Sequence, residues 1–235
     1  MGFSGRTVLV TGAAGNLGRA VAEAFAALGA NLVLLDVAHD RLISVFGRET
    51  DRTLLLPTDL LSAVGTQRAV TKAVERFGGV DVLCNITGGF RMGETVHETT
   101  DDTLDFLFDV NVRTLVHAAR AVVPHMLSRK SGKIVNVAAY AAQKGAARMG
   151  VYAASKSAVI RLTEAMAAEL REKHINVNCV LPTIIDTADN RAAMPDADPA
   201  RWVAPQDLAD VIVFLASDKA RAIHGAAIPV AGLTG

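Results

Sequence analysis

Apolar residues recur in short, dense runs of strand length at positions 7–11, 31–36, 53–56, 80–85, 133–137, 176–181 and 227–230. Between these runs the apolar positions fall at helical spacing, over 17–28, 40–46, 62–77, 103–128, 152–172 and 205–216. Strand and helix therefore alternate almost throughout. Runs such as Asn31-Leu32-Val33-Leu34-Leu35-Asp36 are apolar on both faces, which suits a parallel sheet covered by helices on each side. The right-handed crossover rule then favours a doubly wound α/β Rossmann fold with a mostly parallel seven-stranded sheet. No repeat, low-complexity tract or linker interrupts the alternation, so residues 1–235 are expected to form one domain. The stretch 183–202, with two prolines and four aspartates, carries no clear period and is long for an αβ connection. It is expected to be a substrate loop that acts as a lid, or else to be disordered.

Composition narrows the function. Hydrophobic residues make up 51% of the chain and charged residues 20%, ample for a packed core. Lysine plus arginine equals aspartate plus glutamate at 24 each, which removes the basic excess that nucleic-acid binding uses. The first residues run directly into a strand pattern, and no apolar stretch approaches the roughly 20 residues of a membrane span. A cytoplasmic protein with neither a nucleic-acid nor a membrane partner is expected. Cys84 and Cys179 each sit within a strand pattern with no second cysteine nearby, and the six histidines are scattered, so core thiols and no metal site are expected.

The chemistry gathers at strand ends. The first strand runs into Thr11-Gly12-Ala13-Ala14-Gly15-Asn16-Leu17-Gly18 and then an alanine-rich helix. Small residues there let a backbone approach a pyrophosphate, and free N–H groups and the helix dipole favour the anion. Asp36 ends the second strand, where a carboxylate accepts from both hydroxyls of an adenosine ribose and repels a 2′-phosphate. With no lysine or arginine immediately after it, NAD(H) is expected over NADP(H). Asp59 with Leu60, and Asn85, are expected along the same edge. Tyr152 and Lys156, four apart at a helix start, share one face. A neighbouring ammonium is expected to lower the phenol pKa and fit it for acid/base work.

Together these motifs resemble the short-chain dehydrogenase/reductase family over essentially the whole chain. The matching residues are Gly12 and Gly18, Asp36, Asp59, Asn85 with Gly88, Asn111 in Val110-Asn111-Val112, and Tyr152 with Lys156. The resemblance implies hydride transfer at nicotinamide, with Tyr152 as acid/base, Lys156 assisting it and holding the ribose, and Asn111 supporting a water relay. It further implies that Pro182, Ile185 and Thr187 hold the carboxamide. It implies a small-molecule substrate and a homodimer or homotetramer built on the two longest helices.

Three positions depart from the family pattern. Asn16 replaces the middle glycine of the phosphate loop, Asn85-Ile86-Thr87-Gly88 differs after the fourth strand, and Ala139 stands where the family has its catalytic serine. Losing one preorganised donor typically costs about 10² to 10³ in rate. Dihydropteridine reductases also lack the serine, and the chain is similar to them at Cys84-x-x-x-Gly88-Gly89-Phe90 and along 181–202. Its end, from Leu208 to Val230, is closer to 3-oxoacyl-carrier-protein reductases. A small or medium carbonyl or alcohol is the expected substrate class, with a dihydropteridine-reductase-like enzyme as one alternative and a non-catalytic NAD-binding sensor or assembly subunit as another.

Overall fold

The computed structural model of the chain describes residues 2–234. The elements run β1 (Thr7–Thr11), α1 (Asn16–Ala27), β2 (Asn31–Asp36), α2 (His39–Phe46), β3 (Thr53–Pro57), α3 (Ala63–Phe77) and β4 (Val82–Asn85). Then follow α4 (Asp101–Phe108), α5 (Thr114–Arg129), β5 (Gly132–Val137), α6 (Gly150–Leu170), β6 (Ile175–Pro182), α7 (Ala188–Ala193), α8 (Pro205–Ala216) and β7 (Ala227–Val230). The seven strands form one sheet in the order β3-β2-β1-β4-β5-β6-β7. Every pairing is parallel, so the sheet is wholly rather than mostly so. This is the doubly wound Rossmann arrangement.

Alternation along each strand divides the core into two layers. Val8 and Val10 of β1, with Leu32 and Leu34 of β2, face α1 and α8 through Val21, Phe25, Leu208 and Ile212. Leu9, Val33 and Leu35 face α3 and α5 through Ala69, Ala73, Ala118 and Val122. Burial on both sides explains why these strands read as continuous apolar runs. Cys84 and Cys179 are free and fully buried in β4 and β6. Desolvation pushes both thiols up, Cys179 to about 11, which leaves them unreactive.

Two expectations are corrected. The single helix expected over 103–128 begins at Asp101, and a five-residue π-helical turn, Asp109–Arg113, divides it into α4 and α5. Val110-Asn111-Val112 continues the apolar rhythm, and no Gly or Pro marks the turn, so the pattern hides it. The stretch 183–202 is not disordered. Thr187 caps α7 by accepting from Asn190 N at 3.2 Å, Asp198 caps a 3₁₀ turn at Pro199–Arg201, and Ile185 pairs with Val203. Trp202 and Val203 are buried and anchor its far end.

Candidate active site

The carboxyl ends of β1, β2, β4 and β5 and the start of α6 converge on one side of the sheet. A cleft of about 730 Å³ opens there, within the usual range for small-molecule sites. It is lined by Gly12, Asn16, Leu17, Gly18, Asp36, Asp59, Leu60 and Gly88 from the sequence reading, together with Val37, Arg41, Thr87 and Val110.

The turn from β1 to α1 needs its glycines. Gly12 has φ +62°, and a Cβ there would lie 3.0 Å from Thr87 Oγ1. A Cβ on Gly18 would lie 2.1 Å from the Gly12 carbonyl oxygen and 2.8 Å from Ala13 Cα, so no side chain fits. Gly15 serves as the N-cap of α1 and contributes no side chain, and no acidic residue occupies the first turn. The amides at the start of α1 are thus left for an anion. Thr11 Oγ1 accepts from Ile86 N and Thr87 N at 3.0 and 3.1 Å and ties the ends of β1 and β4 together.

Asp36 is 7% exposed. Its Oδ2 accepts from Ala14 N at 3.0 Å and its Oδ1 from Val37 N at 2.9 Å, which fixes the carboxylate at the cleft wall. Arg41 Nη1 stands 3.9 Å from Oδ1. Sequence adjacency missed this cation because α2 folds back over the end of β2. Asp59 turns its side chain onto the Leu61 amide at 2.9 Å.

Asn85 is placed differently from the residues around it. It is paired in register with Asn136 of β5, to which it donates at 2.8 Å, and Asn136 passes the chain on to Thr163 Oγ1 at 2.9 Å. Asn85 is 4% exposed and is not among the residues that line the cleft; it braces the sheet beneath the site.

Asn111 is held in the π-helical turn. Its Oδ1 accepts from Gly89 N at 2.9 Å, and its Nδ2 donates to the Gly89 carbonyl at 3.1 Å and to Ser155 Oγ at 3.0 Å. Lys156, 5% exposed, donates to the Val137 carbonyl at 3.0 Å. A Cβ on Gly88 would fall 2.9 Å from Lys156 Nζ and 3.0 Å from Asn111 Oδ1, so Gly88 brings these two groups together by having none. The Tyr152 ring meets Phe90 edge to face, with centroids 4.8 Å apart.

Burial lowers the Lys156 pKa to about 8 and raises that of Tyr152 to about 12. The phenol is thus raised rather than lowered as expected, because desolvation dominates at the ring. Ala139 is 5% exposed and leaves a methyl where a hydroxyl was sought. Pro182 ends β6, while Ile185 and Thr187 sit in the segment leading into α7, apart from the residues that line the main cleft. Among the described residues there is no group of three or more His, Cys, Asp or Glu suited to a metal, and no helix is long and apolar enough to cross a membrane.

Comparison with known proteins fits this geometry. A family model described as short chain dehydrogenase matches residues 6–198. The oxidoreductase UcpA of Salmonella typhimurium is 32% identical over 242 residues, covering 95% of this chain and 92% of the relative. The 3-oxoacyl-[acyl-carrier-protein] reductase FabG of Thermotoga maritima is 31% identical over 246 residues, covering 99% and 98%. Among solved structures, an NAD+-bound xylitol dehydrogenase superimposes with a TM-score of 0.89 at 28% identity, covering 98% of this chain and 99% of the other.

Proposed function

The chain belongs to the short-chain dehydrogenase family and is an NAD(P)-dependent oxidoreductase, and we propose that it transfers hydride between NAD(H) and a small or medium carbonyl or alcohol. The observation that supports this reading is that Gly88 draws Lys156 Nζ and Asn111 Oδ1 together, with Tyr152 one turn before Lys156 on α6, behind a cleft whose glycines leave backbone amides open to a pyrophosphate. When bound, the dinucleotide supplies or accepts the hydride.

Gly12, Asn16, Leu17 and Gly18 hold the phosphates, and Asp36 holds the adenosine ribose. Asp59 and Leu60 flank the adenine, and Gly88, Tyr152 and Lys156 face the nicotinamide ribose. Pro182, Ile185 and Thr187 are assigned to the carboxamide, and Asn85 supports the site from within the sheet. NAD(H) is preferred because the Asp36 charge is fixed by two backbone amides at 7% exposure, whereas Arg41 is 60% exposed and screened by solvent.

In the reducing direction Tyr152 donates its proton to the substrate oxygen. Lys156 stabilises the resulting phenolate, and Asn111, locked on Gly89 and Ser155, holds the relay that returns the proton. Segment 183–202 covers the substrate. The same reading places the enzyme in the cytoplasm as a homodimer or homotetramer paired through α5 and α6.

Tyr152→Phe tests the assignment. Turnover should fall by about 10² or more, as for loss of a positioned acid, while NADH affinity stays within about twofold. Unchanged turnover would remove Tyr152 from the chemistry. The methyl of Ala139 and the Phe90 edge contact favour a second reading, a flat electrophile such as a quinonoid dihydropterin, which needs no serine donor. NADH oxidation with such a pterin and none with a 3-oxoacyl thioester would select it. A protein that binds NADH and turns over neither those substrates nor any simple ketone would fit a sensor or assembly subunit instead.

A further inference from the structure

A second, smaller cavity of about 170 Å³ has Tyr152 in its wall and adjoins the cofactor cleft at Arg91, which lines both. Its other walls come from Met92, Glu94, Leu107, Arg148 and Val151. It is below the size of a drug-like pocket and suits a molecule of a few heavy atoms.

Arg148 is the unusual member. Three non-glycine residues have positive φ among the described residues: Lys130, Arg148 and His174. Lys130 and His174 each close a helix, where a left-handed residue is a common cap. Arg148, at φ +61°, instead precedes α6 and ends no helix. A bulky residue rarely adopts this conformation without surrounding structure to hold it. It is pinned there by Gly93, whose N–H donates to the Arg148 carbonyl at 2.9 Å.

Its guanidinium is exposed and makes only a long bond to the Gly93 carbonyl, at 3.5 Å, with no carboxylate within ion-pair distance among the described residues. The cavity's other cation is already neutralised: Arg91 donates to Asp102 at 2.6 Å and lies over the Phe106 ring at 4.0 Å. Glu94, in the same lining, accepts from Thr103 Oγ1 at 3.2 Å through Oε1, while its Oε2 is buried with no hydrogen-bond partner. The wall therefore holds one guanidinium without a carboxylate partner and one acceptor oxygen without a donor, not paired with each other.

We propose that this cavity binds the non-reacting end of the substrate, and that this end is a carboxylate taken by Arg148, accompanied by a hydroxyl or amino donor that answers Glu94. The inference rests on the catalytic reading of Tyr152, since it is Tyr152 in the cavity wall that makes the bound molecule a substrate. Planar bidentate pairing with guanidinium suits a carboxylate, and a bare anion lacking a donor is disfavoured by Glu94.

Binding of a dead-end ligand separates this inference from the chemistry. NADH-saturated protein is titrated calorimetrically with racemic lactate and, separately, with lactamide, which differ only in the anionic group and undergo no hydride transfer from NADH. The native protein should bind lactate about tenfold or more tightly than lactamide, the scale of one charge-assisted hydrogen-bond pair. Arg148→Asn removes the charge but keeps a residue tolerant of the left-handed turn. It should bring the two ligands within about threefold, with NADH affinity unchanged, and Arg148→Lys should restore part of the preference. Equal affinities in the native protein, a lactate preference that survives Arg148→Asn, or no binding of either ligand would overturn the proposal. Failure of turnover in Tyr152→Phe leaves this binding difference intact, so the two readings fail separately.

Discussion

Gly18→Ala probes the phosphate loop where its geometry is tightest. The added methyl carbon would sit 2.1 Å from the Gly12 oxygen, 2.8 Å from Ala13 Cα and 2.9 Å from the Gly12 carbonyl carbon. Ordinary carbon contacts lie near 3.5 Å, so β1 and α1 must part by about 1 Å or more. All three opposing atoms are backbone and cannot rotate away. Nor can α1 retreat, because Val21 and Phe25 on its buried face are fully packed. Overpacking of this kind costs up to about 3 kcal/mol, against which alanine regains about 1 kcal/mol of helix propensity over glycine. The net loss of about 2 kcal/mol corresponds to a fall in Tm of roughly 4–8 °C for a domain of this size. Because the displaced atoms carry the anion-binding amides, NADH affinity should weaken about tenfold as well. Thermal unfolding and NADH fluorescence titration read the two effects. Gly145→Ala is the control, since its Cβ would meet nothing within 4 Å. A Gly18→Ala protein with native Tm and native NADH affinity would refute the close-approach argument.

Three further substitutions test separate parts of the site. Asp36→Asn removes the charge while keeping the shape, and the ratio of kcat/KM for NADH over NADPH should fall by about tenfold or more; an unchanged ratio would show that Asp36 does not set the preference. Lys156 has a folded pKa of about 8, below its ordinary 10.5, so the cost of burying its charge is full below pH 8 and fades as pH rises toward 10.5. The unfolding free energy of Lys156→Met minus that of the native protein should accordingly shrink between pH 8 and 10, the titration of Tyr152 cancelling because both proteins carry it; a pH-independent difference in chemical denaturation would contradict this. Ala139→Ser supplies the hydroxyl that the site lacks, and ketone reduction should rise by about 10² as one preorganised donor is restored, with no gain arguing that another group already serves.

The parts of the fold legible in the sequence are those governed by local period. β1, β2, β7 and α8 occupy the residues that their apolar patterns indicate; β1 and β2 do so because strands buried on both faces leave an unbroken signature, whereas β7 is a half-exposed edge strand read from its apolar composition alone. The π-helical turn at Asp109–Arg113 was not legible, since inserting one residue into a helical register changes neither composition nor hydropathy. Likewise α7 is a six-residue helix held by the Thr187 cap and the Ile185–Val203 bridge, tertiary features that periodicity does not carry. At the site, Gly12, Gly18, Asp36, Tyr152 and Lys156 were readable from spacing and strand ends. The inward turn of Asn85 depends on its register with Asn136, and the approach of Arg41 to Asp36 depends on the path of α2. The pKa values of Tyr152 and Lys156 depend on burial depth, which residue type alone does not state.

The strand order has a consequence for how the molecule comes into being. β1 lies between β2 and β4, so one side of it is closed early in synthesis and the other waits for residues more than seventy positions later, including the Ile86 and Thr87 amides that bond to Thr11. Parallel pairings across such separations are slow to form, because loop closure precedes any contact that rewards it. A nascent chain that has released only β1, β2 and β3 therefore carries Asp36 and the glycine turn after β1 on a sheet whose β1 edge is bare and apolar on both faces. That species is prone to pair with its own kind, and dinucleotide has little hold on it, since Gly88 and the Tyr152 and Lys156 pair are not yet made. The docking of β4 beside β1 is accordingly the step at which losses during synthesis and refolding are expected, and dinucleotide added before it should not raise the yield.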